Sequence, residues 1–436
     1  MCVATIYRWL ARSLVFGIVA CILVLQATRA TTQDQNTDIT IPEPVAPLIP
    51  AEHTDVSTFL LLGSDADGLR SAARTDVIIV VFVHHETGTA ALLSIPRDLY
   101  VYIPGWQMQR INTAFPHGNT INPDNGGIEL LRETLRYNLG LSVERYVHVD
   151  FSGFKELIDS LGGIELSVDC AVEDWRLREP GLDPSLVENW EMYTLPVGVH
   201  HLNGDAALWY VRSRRASSDF DRGRRQHDVL RAIWRRAHSL GLFDRLPELW
   251  QQFAGTVETN ITLPDAMTLL SLALHFSPDS LASYIFRENH EVTAWRSPAG
   301  ASVLLPVPEA VARLENLALT PPTSNQVSGS SVRVEVVNAS GRHDMHKVAA
   351  DRLAWEGVQA SVSEEQVRTQ VDTTITDYTG QSKGSYLEVL QQVLRVRSSN
   401  VIHDLAASRD FDFRVTLGSS YYACTYGVIP PQSDGD

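Results

Sequence analysis

The sequence predicts an α/β protein in two unequal parts, a large domain built on a buried central sheet and a small α/β domain behind it. Three observations carry this. From Thr58 onward, short apolar runs of strand length alternate with segments whose apolar residues recur every three to four positions. A Pro/Ser/Gly-rich stretch, "TPPTSNQVSGSS" from Thr320 to Ser331, then interrupts the pattern. Beyond it, a new strand, helix and late strand follow in order. At 436 residues and 44% apolar, the chain is long enough to bury cores in both parts.

Residues 1–30 come first. Arg8 and Arg12 precede "SLVFGIVACILVLQAT", and positive charge before an apolar run keeps the N-terminus in the cytoplasm while the remainder crosses. The segment reads as a membrane anchor or a signal, and anchor is preferred because "ATRA" offers only a loose cleavage site. Cys21 ends a lipoprotein-like "IVAC", but apolar residues continue past it where a lipoprotein would turn polar. The expected location is a single-pass protein of the cell membrane with its bulk outside the cytoplasm. Residues 31–57 hold Pro42, Pro44, Pro47 and Pro50 and little to bury, the composition of an extended spacer.

The large domain is expected over residues 58–319. "TFLLL", "VIIVVFV", "ALLSI", "YVHVD" and "IELSV" read as strands, with "GIELLRETLRYNLG" and "FSGFKELIDSLGG" as helices between them. After the linker 320–331, residues 332–424 form the small domain. There "VRVEVVNAS" is a strand, "HDMHKVAADRLAWEG" a helix closed by Gly357 and "FDFRVTLG" a strand; residues 425–436 are a tail. Of four cysteines, Cys2 and Cys21 belong to the membrane segment, and a single bridge between Cys170 and Cys424 stays open. The pairs His84–His85 and His200–His201 read as surface turns.

Charge narrows the function. Fifty-two acidic against 36 basic residues give a net charge of −16, which opposes general nucleic-acid binding. Yet "YVRSRRASSDFDRGRRQ", Tyr210 to Gln226, packs six arginines beside two aspartates, so this local basic patch needs a local purpose. "LNGDAALWYVRSR" reads as a helix capped by Asn203, bringing Arg212 and Arg214 to its end. A second helix is expected from about Arg222, with Val229, Ile233 and Trp234 on its apolar stripe. Extended backward, the stripe takes in Arg222, Arg225 and Gln226. Arg224, Asp228, Arg231 and Arg235 fall on the opposite, wet face. An inward arginine must meet an anion, because burying a lone charge costs several kcal/mol. Asp219 and Asp221 read first as caps of that helix, so the surplus guanidiniums match a phosphate or pyrophosphate.

The early strands add carboxylates. The short turn "HHETGT" makes "VIIVVFV" and "ALLSI" an antiparallel hairpin, so the "RTD" entering one and the "PRD" leaving the other share an end. Arg74 and Asp76 then meet Arg97 and Asp98, and Asp65 can join them. Such a cluster is either a structural ion-pair network or a site for a hard cation such as Mg²⁺ with phosphate oxygens.

Taken in order, "LLLGSD", "RTDVIIVV", "LLSIPRDLYVYIPG", "RINTAF", "LIDSLGGIEL", "LNGDAALWYVRSR" and "DFDRGRRQ" closely resemble the LytR-CpsA-Psr (LCP) family. "VEVVNASG" and "DFRVTLGSSYY" look like the LytR C-terminal domain often appended to it. The resemblance implies a three-layer α-β-α domain with a central mixed sheet and an apolar lipid pocket. It implies a phosphotransferase that moves a glycopolymer from a polyprenyl-pyrophosphate donor to a peptidoglycan acceptor at the cytoplasmic membrane, with Mg²⁺ or Mn²⁺ and no nucleic acid. Carried over position by position, Asp65 and Asp76 are the metal side. Arg74, Arg97, Arg110, Arg212, Arg214, Arg222, Arg225 and Gln226 are the pyrophosphate side, with Asp98 and Asp219 in support. Arg97, Asp98, Arg212 and Arg214 are the expected catalytic set, Asp98 as a candidate acceptor of the hydroxyl proton. Where the family has "DxR", Asp67 stands at the arginine position with Arg70 the nearest cation, and its "RQQ" ends here in His227. Hydrolysis of the carrier pyrophosphate and a non-catalytic wall-binding role are the competing readings.

Overall fold

The computed structural model describes residue 45 and residues 55–65, 74–215, 218–242, 250, 257–275, 281–321, 332–381, 386–405 and 410–424. The expected membrane segment, most of the spacer, residues 322–331 of the linker 320–331, Asp67, Arg70 and the tail lie outside these. Among the described residues no helix is long and apolar enough to cross a membrane.

A six-stranded mixed sheet organises the larger part. Its spatial order is Glu258–Thr259, Arg145–Val149, β1 (Val56–Ser64), β2 (Thr75–His84), β3 (Thr89–Ser94) and Leu281–Ile285. β2 runs antiparallel to both β1 and β3, while Arg145–Val149 lies parallel to β1 and Leu281–Ile285 parallel to β3. The β2–β3 turn closes in four residues because Gly88, at φ 60°, adopts a left-handed conformation that side chains disfavour.

Alternation along the strands divides the side chains between two faces. Leu60, Ile78, Val80, Phe82 and Leu93 pack in one core with Leu131 and Leu135 of helix Gly126–Leu139 and Val311 and Leu314 of helix Pro308–Leu319. On the opposite face, Leu61, Val77 and Ile79 look toward helices Phe151–Ser160, Gly204–Arg212 and Asp219–Ser239. Helices thus cover both faces of the sheet, the three-layer arrangement expected. Strand Ile164–Val168 departs from expectation. It pairs with Gly198–Leu202 in a separate two-stranded sheet, and its Ile164, Leu166 and Val168 face a second core with Tyr210 and Ala232.

The C-terminal module has its own five-stranded sheet, in the order Ala360–Ser363, Val334–Asn338, Phe413–Leu417, Thr374–Asp377 and Val401–His403. Val336, Val348, Leu353, Leu390 and Val415 form its core. The open question about the cysteines has an answer: Cys170 and Cys424 are bridged, with Cα atoms 4.4 Å apart and a sequence separation of 254.

Two sequence expectations give way here. His84 is not in a surface turn but is the buried last residue of β2, with its ring nitrogens 3.1 Å from Thr89 Oγ1 and the Leu319 carbonyl. His200 and His201 likewise belong to strand Gly198–Leu202. In addition, helix Asp219–Ser239 begins three residues before Arg222, and its far face is not wet. Asp228 and Arg231 are each only 3% exposed, because the C-terminal module covers them.

Candidate functional site

The site grows from an irregularity between β1 and β2. Their register passes from Gly63↔Val77 to Ser64↔Thr75, which leaves Asp76 as the extra residue of a β-bulge. A bulge re-aims the side chain it carries, and Asp76 meets the end of β3, where Arg97 Nη1 donates to its Oδ1 at 2.6 Å. Arg97 Nε also lies 3.5 Å from Asp98 Oδ2, and Arg110 Nη1 donates to Asp98 Oδ1 at 3.1 Å. The hairpin therefore brings Asp76, Arg97 and Asp98 together as expected, and Arg110, which was not part of that expectation, extends the chain. Asp65 and Arg74 are tied to each other by backbone, the Asp65 N–H donating to the Arg74 carbonyl at 3.3 Å, and both residues are exposed.

Two helices bring the second group of cations. Helix Gly204–Arg212 is capped as expected, the Asn203 side chain accepting from Ala206 N at 3.0 Å, and it ends on Arg212. The Arg212 guanidinium lies 4.3 Å over the Phe151 ring. Arg214 is fixed by its backbone, whose N–H donates to Asp174 Oδ2 at 2.7 Å. Helix Asp219–Ser239, the arginine helix, opens with a capping box between Ser218 and Asp221, so Asp221 has the capping role read from the sequence. The Asp219 side chain lies outside what the structure describes. One turn on, Arg222 is 5% exposed and Gln226 half-buried.

Five of these side chains, Asp76, Arg212, Arg214, Arg222 and Gln226, line a cavity of about 350 Å³. Its interior is apolar, lined by Leu61, Val77, Ile79, Val147, Val149, Phe154, Leu157, Leu208, Leu230 and Ile233. Its polar lining is Asp76, Arg212, Arg214, Arg222 and Gln226, with Ser64 and Asp150. A smaller adjoining cavity of about 20 Å³ shares Asp76, Arg222 and Gln226 and adds Ser94 and Arg97. Cations thus stand where a greasy chamber opens, the arrangement an amphiphile with an anionic head requires.

Several expected residues sit elsewhere. Arg225 follows the inward stripe but is 1% exposed and hydrogen-bonds the Ser213 carbonyl, with its guanidinium 5.8 Å from the Tyr210 ring. It ties the two helices together and does not line the cavity. Arg74, Asp98 and Arg110 do not line it either; Asp98 turns to Arg97 and Arg110. Sequence reading missed the apolar liners and Phe151. The signal was available in the alternate residues of β1 and β2, but alternation does not tell a packed face from a hollow one.

No group of three or more His, Cys, Asp or Glu side chains able to hold a metal exists among the described residues. Mg²⁺ needs only one or two carboxylates when substrate phosphates complete its shell, and Asp76 in the cavity lining and Asp65 one residue past β1 are carboxylates of the kind it takes.

Burial perturbs groups beside the site. His227, which follows Gln226, shares a 2.8 Å hydrogen bond with Ser94 Oγ; burial, then the charge of Arg231, holds its pKa down to about 3. The ring is neutral at ordinary pH. Asp228 is pushed up to about 7, chiefly by burial and against the pull of Arg224.

Comparison with known proteins gives a consistent result. The family model described as the LytR_cpsA_psr family matches residues 22–304. TagT of Bacillus subtilis strain 168, named a polyisoprenyl-teichoic acid–peptidoglycan teichoic acid transferase, is 31% identical over 221 residues, 49% of this chain and 63% of its own. Regulatory protein MsrR of Staphylococcus aureus strain COL is 34% identical over 219 residues, 50% of this chain and 59% of its own. The chain therefore spans less than two thirds of the length of these curated relatives. Among solved structures, B. subtilis TagV has a TM-score of 0.48 at 25% identity, covering 62% of this chain and 99% of that one. TagT bound to LIIa-WTA has a TM-score of 0.46 at 27% identity, covering 61% and 92%.

Proposed function

The chain belongs to the LytR-CpsA-Psr family, and from that premise we propose that it is a transferase moving a glycopolymer from a polyprenyl-pyrophosphate carrier to peptidoglycan, with release of prenyl phosphate. The observation that supports this most is the apolar cavity opening onto Arg212, Arg214, Arg222, Gln226 and Asp76. A prenyl chain gains about 0.8 kcal/mol for each CH₂ it buries, and its pyrophosphate stays at the arginines. The relative TagT, a polyisoprenyl-teichoic acid–peptidoglycan teichoic acid transferase by name, supports the same activity here.

Phosphoryl transfer asks a protein mainly for positioning and charge neutralisation. Arg212, Arg214 and Arg222 bind the diphosphate oxygens and stabilise the charge that grows as the acceptor hydroxyl attacks the sugar-linked phosphorus. Arg97, held by Asp76, approaches the same phosphates from the sheet side. Asp98 orients Arg97 and Arg110. Asp65 and Asp76 would hold Mg²⁺ or Mn²⁺, which when bound supplies further neutralisation of phosphate charge. The reaction belongs at the outer side of the cytoplasmic membrane, where the carrier lipid and the wall meet and where the apolar N-terminal segment would tether the chain.

The test is a reaction of purified protein with a prenyl-pyrophosphate-linked glycan, with and without peptidoglycan. Covalent glycan on peptidoglycan and prenyl phosphate in equal amounts are expected. Free glycan phosphate released regardless of acceptor would assign hydrolysis instead, and no turnover with intact binding would assign a wall-binding role.

A further inference from the structure

We propose that Trp355, in the C-terminal module, is a positioning residue for the pyrophosphate site, acting through the arginine helix; this rests on the reading above. The arginine helix has two working faces. Arg222 and Gln226 look into the cavity. About half a turn round the axis, Arg224, Asp228, Arg231 and Arg235 recur at spacings of four, three and four and form a stripe under the C-terminal module.

Trp355 sits at the middle of that stripe. Its indole N–H donates to Asp228 Oδ1 at 2.8 Å, and its ring centroid is 4.8 Å from the Arg224 guanidinium and 5.0 Å from that of Arg231. The His227 ring stacks on it at 6.0 Å and 12°. His227 in turn hydrogen-bonds Ser94, which lines the small cavity with Arg97. One indole therefore touches four residues of the helix and reaches, through the fourth, the strand end that carries Arg97. Arg235 to Asp351 at 2.6 Å and Arg224 to Asp169 at 2.8 Å extend the grip along the helix.

This grip matters because the other side of the helix is hollow. Leu230 and Ile233 border the cavity and are only half-buried, so on that side the roll of the helix is held by Val229 and Ala232, by Arg225 and by the His227–Ser94 bond, while Trp355 grips the opposite face. A helix turns as a rod, and a roll that frees Trp355 swings Arg222 and Gln226 through the same angle. Guanidinium recognition of a diphosphate tolerates displacements of only about half an ångström.

The experiment compares full-length wild type, Trp355→Ala and Trp355→Phe for binding of geranylgeranyl pyrophosphate and of geranylgeraniol, which has the tail without the charge. Trp355→Ala is expected to weaken the pyrophosphate about tenfold and leave the alcohol unchanged. Trp355→Phe, which keeps a ring on the guanidiniums, should recover to within about threefold of wild type. Should Trp355→Ala not fold, Asp351→Ala, which releases Arg235 on the same face, takes its place with the same selective loss expected. Unchanged pyrophosphate affinity, or equal losses for both ligands, would overturn the proposal. Absence of pyrophosphate binding in the wild type would overturn the functional reading first.

Discussion

Arg97 Nη1 and Asp76 Oδ1 lie 2.6 Å apart, joining the end of β3 to the bulge in β2 at the mouth of the apolar cavity. The pair is partly buried, with side-chain exposures of 14% and 30%, so each member holds the other in place. Removing Arg97 deletes the cation proposed to face the phosphates and frees the carboxylate. Arg97→Ala should lower the rate of prenyl phosphate release by about 10²-fold or more, in the range seen when one charge-stabilising donor is lost. Single-turnover assays on the glycan-linked donor would measure it, and a loss below about threefold would remove Arg97 from the reaction.

The same pair bears on metal dependence. With Asp65 and Asp76 as the metal side, Asp76→Asn should raise the Mg²⁺ concentration for half-maximal activity, and Asp65→Asn should do so by a comparable factor. Activity that ignores a chelator, or metal titrations that coincide with wild type in both variants, would count against a metal at this position.

The hollow between sheet and helices predicts a length dependence. Leu230→Trp places an indole in the cavity and should shorten the prenyl chain the protein accepts. Each CH₂ kept out of the cavity forfeits about 0.8 kcal/mol, so affinity should fall more for a long prenyl pyrophosphate than for a short one. Parallel losses at all chain lengths would mean that the tail binds elsewhere.

Glu315 predicts a pH dependence of stability away from the site. It is buried in helix Pro308–Leu319, its Oε1 has no hydrogen-bond partner among the described residues, and burial pushes its pKa up to about 9. A carboxyl whose folded pKa lies above its unfolded value takes up a proton on folding. Its contribution is complete below about pH 4.5 and is lost as the pH rises toward 9. Each pH unit in that window costs up to about 1.4 kcal/mol. Thermal melts of wild type and Glu315→Gln should therefore diverge between pH 5 and pH 8 in favour of glutamine. Parallel curves would show that the carboxyl is not held protonated.

The Cys170–Cys424 bridge closes a separation of 254 residues and ties the C-terminal module to the larger part. Opening it enlarges the unfolded ensemble at a cost of about 2–5 kcal/mol. Cys170→Ser should lower the melting temperature, and a reductant should lower that of wild type but not of the variant.

What could be seen in the sequence followed from short-range physics. The period of two in β1, β2 and β3 and the short turn before Thr89 were enough to bring Asp76 to Arg97. The 3.6-residue period of the arginine helix placed Arg222 and Gln226 inward. Each misreading depended on a partner far away in the chain. His84 is buried because the Leu319 carbonyl, 235 residues later, reaches it. Asp228 is covered because Trp355 lies 127 residues beyond it. Arg225 was read correctly as inward, yet it hydrogen-bonds the carbonyl of Ser213 and does not line the cavity. Periodicity says which way a side chain points, and only the assembled fold says what waits there.

In β2, Ile78 and Val80 belong to the packed core, while Val77 and Ile79 border the cavity. Stability and ligand girth are thus written in alternate letters of one strand. An engineer who wished to fit a bulkier tail could trim the odd-numbered side chains and leave the even-numbered ones intact. Inserting a single residue there would exchange the two alphabets, presenting core-shaped side chains to the lipid and lipid-shaped ones to the core.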